Sequence, residues 1–277
     1  MKIFKTPLLS LLLTILMLSS TVSSASDAQQ QLQQALSGKH RTLAYAERDV
    51  SRHPAETLAF FGVQPDSTVV EIWPSGGGWY TEVLAPYLKQ KGTLYSASYD
   101  KNLKIPYYQK NQKRFEEKLA ANAEVYSKVK ISTFNPMETI EIAPANSADF
   151  VLTFRNVHNW KNSGEKAVAN AFQTFYKALK PGGILGLVEH RMPESFADKK
   201  KDRSGYIKQS YVIAMAKQAG FVLASQSEIN ANSKDTADHP KGVWTLPPSY
   251  RNKEVDRAKY EAIGESDRMT LKFIKPK

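Results

Sequence analysis

Short apolar runs alternate along this chain with longer segments whose apolar residues recur every three or four positions. The runs are bounded by glycine, proline or polar residues, which is the pattern of buried strands. The predicted strands are 68–72, 94–97, 125–134, 150–154, 184–188, 221–227 and 268–275. The predicted helices are 55–61, 79–88, 107–123, 164–179 and 206–220. Because strands and helices alternate, the chain is predicted to form an α/β fold with a doubly wound, mostly parallel sheet.

The first predicted strand leads into a glycine-rich turn. Glu71 lies in this strand, and Pro74, Ser75 and residues 76–78 follow it before the next helix. Glycine lets a ligand approach the backbone, and the first N–H groups of a helix lack partners, so such a turn can hold a ligand. A tight connection between strand and helix would need the same glycines. In a dinucleotide site the acidic residue follows the glycines by about 20 positions, whereas here it precedes them, which favours a ligand with a positive or hydrogen-bond-donating group.

The N-terminal residues have the composition of a secretory signal peptide. Lys2 and Lys5 precede the apolar run 8–18, and the small residues 23–25 provide a cleavage site. The apolar run is too short for a membrane span. We therefore expect a signal peptide at 1–25, export to the periplasm and no transmembrane span after cleavage; an uncleaved anchor is the alternative.

Charge and cysteine content narrow the class of protein further. The chain of 277 residues carries a formal charge of +11, with 38 basic and 27 acidic residues, and no cysteine. Disulfides are therefore absent. The basic residues are spread along the chain without a dense block, which favours a solvated basic surface over a nucleic-acid site.

Three phrases of the sequence resemble class I S-adenosylmethionine (SAM) methyltransferases. Glu71 and the glycine turn after it resemble the first motif of that superfamily, an acidic residue followed by alternating glycines. The strand 150–154, which follows Asp149, and the phrase ALKPGGILGLVEH resemble later parts of the same fold. Within the superfamily, the chain is similar to a group of exported bacterial methyltransferase-like proteins. The resemblance implies a seven-stranded Rossmann-like domain over 55–277 with its last strand antiparallel. Residues 26–54 are predicted to form a helical N-terminal extension, whose Gln- and Ala-rich start at 26–39 indicates a solvated helix or a loose leader.

The same resemblance implies SAM as the cofactor and assigns it a set of residues. The strand-end acid Glu71 acts near the methionine ammonium in that family, and Trp73 and Ser75 stand where the first two glycines usually do. Ser98 occupies the tip of the second strand, where an acid usually holds the ribose, and Asp100 is the nearest acid. Asn135 follows the third strand, near the adenine. The cofactor-binding residues implied are Glu71, Trp73, Ser75, Gly76, Gly77, Ser98, Asp100, Asn135 and Arg155.

Two histidines are the candidate catalytic bases. His158 and His190 each follow a predicted central strand, and the carboxyl ends of parallel strands meet at one edge of the sheet. Histidine titrates near neutral pH, which suits removal of a proton from a methyl acceptor. Either histidine can instead bond only to its own loop. Arg155 and Arg191 can bind an anionic substrate group, or pair with Asp149 and Glu189.

Other side chains allow alternative interpretations. Five aromatic residues near the strand ends can face a ligand, although packing explains at least three of them equally well; they are Trp73, Trp79, Tyr80, Phe154 and Trp160. A metal site is the less favoured alternative, because no short ligand-spaced motif is present. Its candidate ligands are His158, Glu189, His190, Asp235, Asp238 and His239. A serine hydrolase is poorly supported, because no G-x-S-x-G motif occurs.

The segment before the domain holds a charged cluster at residues 47–53. It can line the mouth of a pocket, but a capped helix end with local ion pairs is the favoured interpretation.

Two functions follow from the sequence. One is a SAM-dependent methyltransferase that acts on a small or envelope-associated substrate. The other is a non-catalytic ligand-binding or interaction module on the same fold, because SAM is made in the cytoplasm and an exported enzyme would need it delivered. Fold alone does not decide between them.

Overall fold

A mixed sheet forms the centre of the molecule, whose computed structural model describes residues 27–197 and 204–277. The strands are β1 (Thr68–Ile72), β2 (Thr93–Tyr99), β3 (Lys130–Phe134), β4 (Ala148–Phe154), β5 (Leu179–Met192), β6 (Ile207–Lys208), β7 (Val222–Ser227) and β8 (Arg268–Ile274). Their order is β3-β2-β1-β4-β5-β8-β7, and the two-residue β6 pairs with the end of β5. β1 to β5 are parallel, whereas β8 runs antiparallel to both β5 and β7. The predicted doubly wound sheet of seven strands with an antiparallel last strand is confirmed, with β6 as an addition.

Helices cover both faces of this sheet. They are α1 (residues 27–37), α2 (Leu43–Ala46), α3 (Asp49–Arg52), α4 (Pro54–Phe61), α5 (Thr81–Leu88), α6 (Pro106–Ala121), α7 (Ala123–Tyr126), α8 (Val157–Asn162), α9 (Glu165–Ala178), α10 (Gln209–Gln218) and α11 (Arg257–Ile263). No helix in the described ranges combines the length and apolar character that crossing a membrane requires.

Alternation along β1 divides the core between the two faces. Val69 packs in one hydrophobic cluster with α4 and α5, and Val70 packs in the other with α9. Successive strand residues point to opposite faces, so both faces of this central strand are buried. Glu71 is on the same face as Val69, and it therefore points toward α5 rather than into the α9 cluster.

A buried carboxylate, Glu82, makes several of the hydrogen bonds between the N-terminal extension and the domain. Glu82 on α5 accepts hydrogen bonds from the side chain of Arg41, from the backbone N–H and hydroxyl of Thr42, and from Lys118 on α6. Its side chain is fully buried. In α1, Leu32 and Ala35 join the same cluster as Val69, so this helix is packed and not a loose leader.

Several predicted boundaries were wrong for local reasons. The strand predicted over 125–134 begins only at Lys130, because the Asn122 side chain caps α7 by accepting the N–H of Val125. The helix predicted from 206 begins at Gln209, because the two residues before it form β6. Residues 157–162, expected as a loop, form α8.

Candidate active site

Two cavities adjoin at the carboxyl edge of the parallel strands. The first, here named the aromatic cavity, has a volume of about 160 Å³ and is lined by Glu71 and six aromatic side chains: Trp73, Trp79, Tyr80, Tyr99, Tyr107 and Phe154. The second, the arginine–histidine cavity, has a volume of about 230 Å³ and is lined by Arg48, Arg52, Arg155, His158, His190 and Glu265, among others. Arg155 lines both. The ends of β1, β4 and β5 therefore lie beside two neighbouring cavities, one lined by a carboxyl group and aromatic rings and the other by several guanidinium groups and two histidines.

Glu71 is a buried carboxylate with a single side-chain partner. Its Oε2 accepts a hydrogen bond of 2.6 Å from the Thr81 hydroxyl, and only 2% of the residue is exposed. Burial raises the pKa of Glu71 to about 7, although hydrogen bonds from Thr81 act in the opposite direction. Among the described residues it forms no ion pair.

Trp73 takes an unusual backbone conformation just after β1. Its φ is +48° and that of Ser75 is +60°, a left-handed region that a bulky L-residue rarely adopts. The turn ends the alternation of β1 and places the indole in the same cluster as Ile72. There Nε1 donates to the Phe134 carbonyl at 3.2 Å, and the ring lies 4.9 Å from that of Tyr99.

The glycine turn is covered by other parts of the protein. A Cβ on Gly77 would collide with the hydroxyl of Tyr45 from the N-terminal extension, and one on Gly76 would lie 2.9 Å from Oδ1 of Asn111. That same oxygen accepts the Gly76 N–H. Close packing against α2 and α6 therefore explains both glycines.

Three further residues of the predicted cofactor set lie outside both cavities. Ser98 is fully buried and its hydroxyl has no partner among the described residues. Asp100 accepts the N–H of Asn102, and Asn135 accepts the N–H of Met137. Tyr99, which the sequence did not single out, is the residue of the β2 tip that lines the aromatic cavity.

These observations decide whether the site fits SAM. The Trp73 indole lies between Tyr99 at the end of β2 and the Phe134 carbonyl at the end of β3, the region where the resemblance places the ribose and adenine. The remaining 160 Å³ is well below the roughly 300–1,000 Å³ of common ligand pockets. With the indole in this position, the residues present do not fit the adenosyl group.

The arginine–histidine cavity has more positive than negative charge. Glu265 accepts hydrogen bonds from Arg48 Nε (2.7 Å), Arg52 Nε (3.1 Å) and Arg268 Nη1 (3.0 Å). Burial alone would raise its pKa, but the charges of Arg52, Arg268, Arg48 and Arg155 outweigh this and lower the pKa of Glu265 to about 2. One ionised carboxylate thus faces four guanidinium groups.

Several N–H groups of this cluster are unpaired. Nη2 of Arg48 and Nε of Arg268 are buried with no hydrogen-bond partner in the described part of the chain. The Arg155 guanidinium donates no hydrogen bond to any described residue, and the φ of Arg155 is +61°, in the left-handed region. Burial and the neighbouring arginines lower the pKa of Arg155 to about 10. The two buried donors, Nη2 of Arg48 and Nε of Arg268, are groups that a bound anion can satisfy.

The two histidines lie together in this cavity, with ring centroids 5.5 Å apart. His158 Nδ1 is 3.0 Å from Glu189 Oε1, and Glu189 also accepts the backbone N–H groups of His158 and His190. His190 Nδ1 is 2.5 Å from the Ser266 hydroxyl. Burial, followed by the charges of His158 and the arginines, lowers the pKa of His190, so this ring is neutral near pH 7.

The candidate metal ligands separate into two groups. Ligand atoms of His158, Glu189 and His190 come within 4.8 Å of one another. Because the Glu189 oxygens already accept three N–H groups and guanidinium groups surround the cluster, an anion suits it better than a cation. Away from this cavity, His239 bonds to Asp235, and Asp238 accepts the Thr236 hydroxyl.

Of the two alternatives left open for Arg155 and Arg191, pairing with Asp149 and Glu189 is contradicted. Arg191 pairs with Asp267 and Glu228, and Asp149 pairs with Lys180. In the 47–53 segment, the favoured interpretation of local helix-end pairs fails for Arg48 and Arg52, since both reach Glu265 and line the cavity.

Aromatic packing accounts for most of the five rings considered from sequence. Trp160 is fully buried in the core. Tyr80 and Phe154 stack with centroids 3.6 Å apart, while their edges line the aromatic cavity. The guanidinium groups of Arg52 and Arg41 lie over the Trp79 ring, with their central carbons 4.9 and 5.4 Å from the ring centroid.

Replacing Glu71 with glutamine is expected to remove a pH dependence of stability. A carboxyl whose pKa rises from 4.5 to about 7 on folding stabilises the protein below pH 4.5, and this contribution is lost as the pH rises through 7. The wild type should lose about 3 kcal/mol of unfolding free energy across that interval, so the variant should be the more stable protein at pH 8. Urea denaturation at several pH values measures this.

The control is Glu117→Gln, at an exposed position on α6, which should keep the wild-type pH profile. An equal slope in wild type and Glu71→Gln would show that folding does not raise the pKa of Glu71.

Comparisons with known proteins identify the architecture. No family model matches the sequence, and no curated protein matches it. A SAM-dependent methyltransferase from Aquifex aeolicus superposes with a TM-score of 0.54 and 13% identity, over 83% of this chain and 93% of that chain. Geranyl diphosphate methyltransferase in complex with SAM gives 0.55 and 13%, over 84% and 88%. The [4+2]-cyclase SpnF gives 0.57 and 14%, over 92% and 96%.

Two of these three solved structures are described as methyltransferases and one as a cyclase. At these identities the likeness establishes the class I methyltransferase fold. The chemistry has to be argued from the side chains described above.

Proposed function

We propose that this protein is an enzyme that binds a small anionic substrate in the arginine–histidine cavity and transfers a proton to or from it. The observation that carries the proposal is the cluster of four guanidinium groups around the carboxylate Glu265, beside two histidines and their carboxylate partner Glu189. Desolvated cations without enough anions are unfavourable, and a bound carboxylate or phosphate would balance them.

The arginines have different parts in this proposal. Arg48 and Arg52 are fixed by Glu265, so they supply a positive potential at the cavity wall. Arg155 has no fixed partner in the described chain and lines the cavity, which leaves its planar N–H groups for the substrate. Guanidinium groups bind carboxylates and phosphates through two parallel hydrogen bonds.

The histidines supply the proton transfer. Glu189 accepts from Nδ1 of His158, which fixes the ring tautomer and leaves the lone pair on Nε2. This is the arrangement of a base oriented by a carboxylate. His190 is neutral near pH 7 and lines the same cavity, so it can accept a second proton from the substrate or return one.

Arg155→Ala is expected to abolish most anion binding without unfolding the protein. Inorganic phosphate and malonate should bind the wild type in calorimetric titrations, and the variant should bind them about 10- to 100-fold more weakly, as loss of a charge-assisted bond implies. Because Arg155 makes no ion pair within the described chain, the fold should persist. Phosphate should also raise the pKa of His190, which histidine NMR can follow.

The matched control is Arg257→Ala, which removes an arginine from an exposed pair on α11. Equal phosphate affinity in Arg155→Ala and wild type, or no binding to wild type, would overturn the proposal.

SAM-dependent methylation of the same substrate is a second candidate function. It is favoured by the fold of the similar solved structures and by Glu71 at the end of β1. Calorimetric titration with SAM and S-adenosylhomocysteine tests it. Micromolar binding that Glu71→Gln weakens would support methyl transfer; no binding at millimolar ligand would exclude it.

We also propose that residues 1–25 direct export to the periplasm. The support is the sequence pattern of two lysines, an apolar run and small residues. Fractionation of cells that produce the full chain, with mass measurement of the mature N-terminus, tests this.

A further inference from the structure

We infer that the substrate of the arginine–histidine cavity is an aromatic acid, whose ring lies against the Trp244 indole while its anionic group faces the arginines. The anionic half of this inference rests on the proposed function. The aromatic half rests on separate observations at a second part of the cavity lining, which comes from one short segment of the chain. This part, here named the apolar wall, consists of Val243, Trp244, Pro247 and Pro248.

The first observation is the composition of the apolar wall. Its four side chains carry no charge, and the indole N–H of Trp244 is their only polar group. Such a surface offers little to a phosphate or a short carboxylate, because a polar group placed against it loses hydrogen bonds to water. The cavity volume of about 230 Å³ is several times the roughly 30 Å³ that one water molecule takes in the liquid. An anionic group alone therefore leaves the apolar wall uncovered.

The second observation is that the Trp244 ring is already held in place. The ring packs against a small hydrophobic cluster, and a Cβ on Gly205 would lie 3.2 Å from its Cη2. The central carbon of the Arg251 guanidinium is 4.6 Å from the ring centroid, and the Arg251 backbone N–H donates to the Trp244 carbonyl at 2.8 Å. A ligand ring that packs on this indole does not have to order it first, which lowers the cost of binding.

The third observation is the position of the histidines between the apolar wall and the arginines. The ring of His158 is 6.0 Å from that of Trp244 and 5.5 Å from that of His190, between centroids. His190 is close enough to Arg155 and its neighbours for their charges to act on its ring. A substrate with a ring at one end and an anionic group at the other would therefore place its middle atoms beside His158. This is where the proposed proton transfer needs them.

The test compares acetate, cyclohexylacetate and phenylacetate by calorimetric titration of the protein. We expect phenylacetate to bind about tenfold or more tightly than acetate, because its ring is removed from water. It should also bind more tightly than cyclohexylacetate, because a flat ring makes a better contact with the indole. In Trp244→Ala the gain over acetate should fall below about threefold, while phosphate affinity stays at the wild-type value.

Two further variants make the test specific. Trp244→Leu keeps an apolar side chain against the hydrophobic cluster, so it should fold even if the alanine variant does not, and it should bind phenylacetate and cyclohexylacetate equally. Tyr107→Ala removes a ring that is 60% exposed and lines the aromatic cavity instead. This control should keep the wild-type gain.

The outcomes separate the inference from the proposed function. If phosphate binds and phenylacetate binds no more tightly than acetate, the inference fails and the proposed function stands. A gain that survives unchanged in the Trp244 variants, or that is lost in Tyr107→Ala, also contradicts the inference. If the gain depends on Trp244 while Arg155→Ala leaves every affinity unchanged, the aromatic half stands and the proposed anion site fails.

Discussion

Glu265→Gln is expected to lower the free energy of unfolding by about 3–5 kcal/mol, because it removes the carboxylate from a buried cluster of guanidinium groups. Glu265 is hydrogen-bonded to Arg48, Arg52 and Arg268, and the latter two are buried. Glutamine preserves the shape and one acceptor but not the charge. Urea denaturation at low salt measures the change.

The same variant should respond more strongly to anions than the wild type does. With Glu265 neutral, the cavity gains one unit of positive charge, so phosphate should bind more tightly and recover part of the lost stability. We therefore expect a larger rise of Tm with phosphate in Glu265→Gln than in wild type. An equal rise would mean that phosphate binds elsewhere.

Glu261→Gln is the matched control. This glutamate pairs with Arg257 on the surface of α11, with about half of its side chain exposed. Exposed pairs contribute roughly 0–1 kcal/mol, so the control should differ little from wild type. A loss as large as that of Glu265→Gln would point to a general effect of charge.

The stability of the protein at acid pH provides a second measurement of what Glu265 contributes. Its pKa of about 2 is below the ordinary 4.5, so its contribution to stability is complete above pH 4.5 and lost as the pH falls toward 2. Glu265→Gln should lack this part of the acid transition. Glu71 contributes in the opposite direction between pH 4.5 and 7, so double-variant profiles can separate the two carboxyls.

The fold could be predicted from sequence because its signals are local. Each buried strand is a short apolar run, and each crossover helix has apolar residues at every third or fourth position. The order of the elements and the type of sheet can be predicted from these two patterns. The boundaries that failed depend on single contacts. One example is the Asn122 cap, which converts the start of a predicted strand into α7.

The candidate site was only partly predictable, because its residues come from distant parts of the chain. Arg48, Arg155 and Glu265 meet although more than a hundred residues separate each from the next. One feature of the sequence could have placed Glu265 in the site. A last strand that runs antiparallel to the others must begin at the edge of the sheet where the parallel strands end. His190 is accordingly opposite Arg268, which places the charged residues before β8 beside the histidines.

The direction of the Trp73 side chain could not be derived from sequence either. It depends on a left-handed backbone conformation that a tryptophan is not expected to adopt. The resemblance to methyltransferases identified the position as a glycine site. Only the structure places the indole against Phe134 and Tyr99, where it takes the room of an adenosyl group.

Trp73→Gly is expected to destabilise the protein by about 1–4 kcal/mol. Removing a buried aromatic side chain usually costs about 3–5 kcal/mol, and relief of the positive φ returns about 1–2 kcal/mol. The indole is 6% exposed and contacts the rings of Tyr99, Tyr108 and Phe134, so little compensation is expected from the surroundings. Chemical denaturation gives the value.

Trp73→Ala separates the two contributions. It opens nearly the same space but keeps a Cβ at positive φ, so it should be less stable than Trp73→Gly by about 1 kcal/mol. This reverses the order seen in ordinary strands and helices, where glycine is the worse residue. Equal or greater stability of the alanine variant would show that the backbone at residue 73 relaxes to a negative φ.

The glycine variant also tests what the indole does to the cofactor region. Opening the space between β2 and β3 should let S-adenosylhomocysteine raise the Tm of Trp73→Gly, whereas wild type should show no shift. If wild type binds the ligand as tightly as the variant, the indole must move on binding, and SAM-dependent methylation becomes the better function. If neither binds, removal of the indole is not sufficient for cofactor binding, because the side chains of Ser98, Asp100 and Asn135 lie outside the cavity whatever residue stands at 73. Whichever result is obtained, the arginine–histidine cavity should keep its excess of positive charge in the variant. Trp73 does not line that cavity, and its indole N–H donates to the Phe134 carbonyl instead.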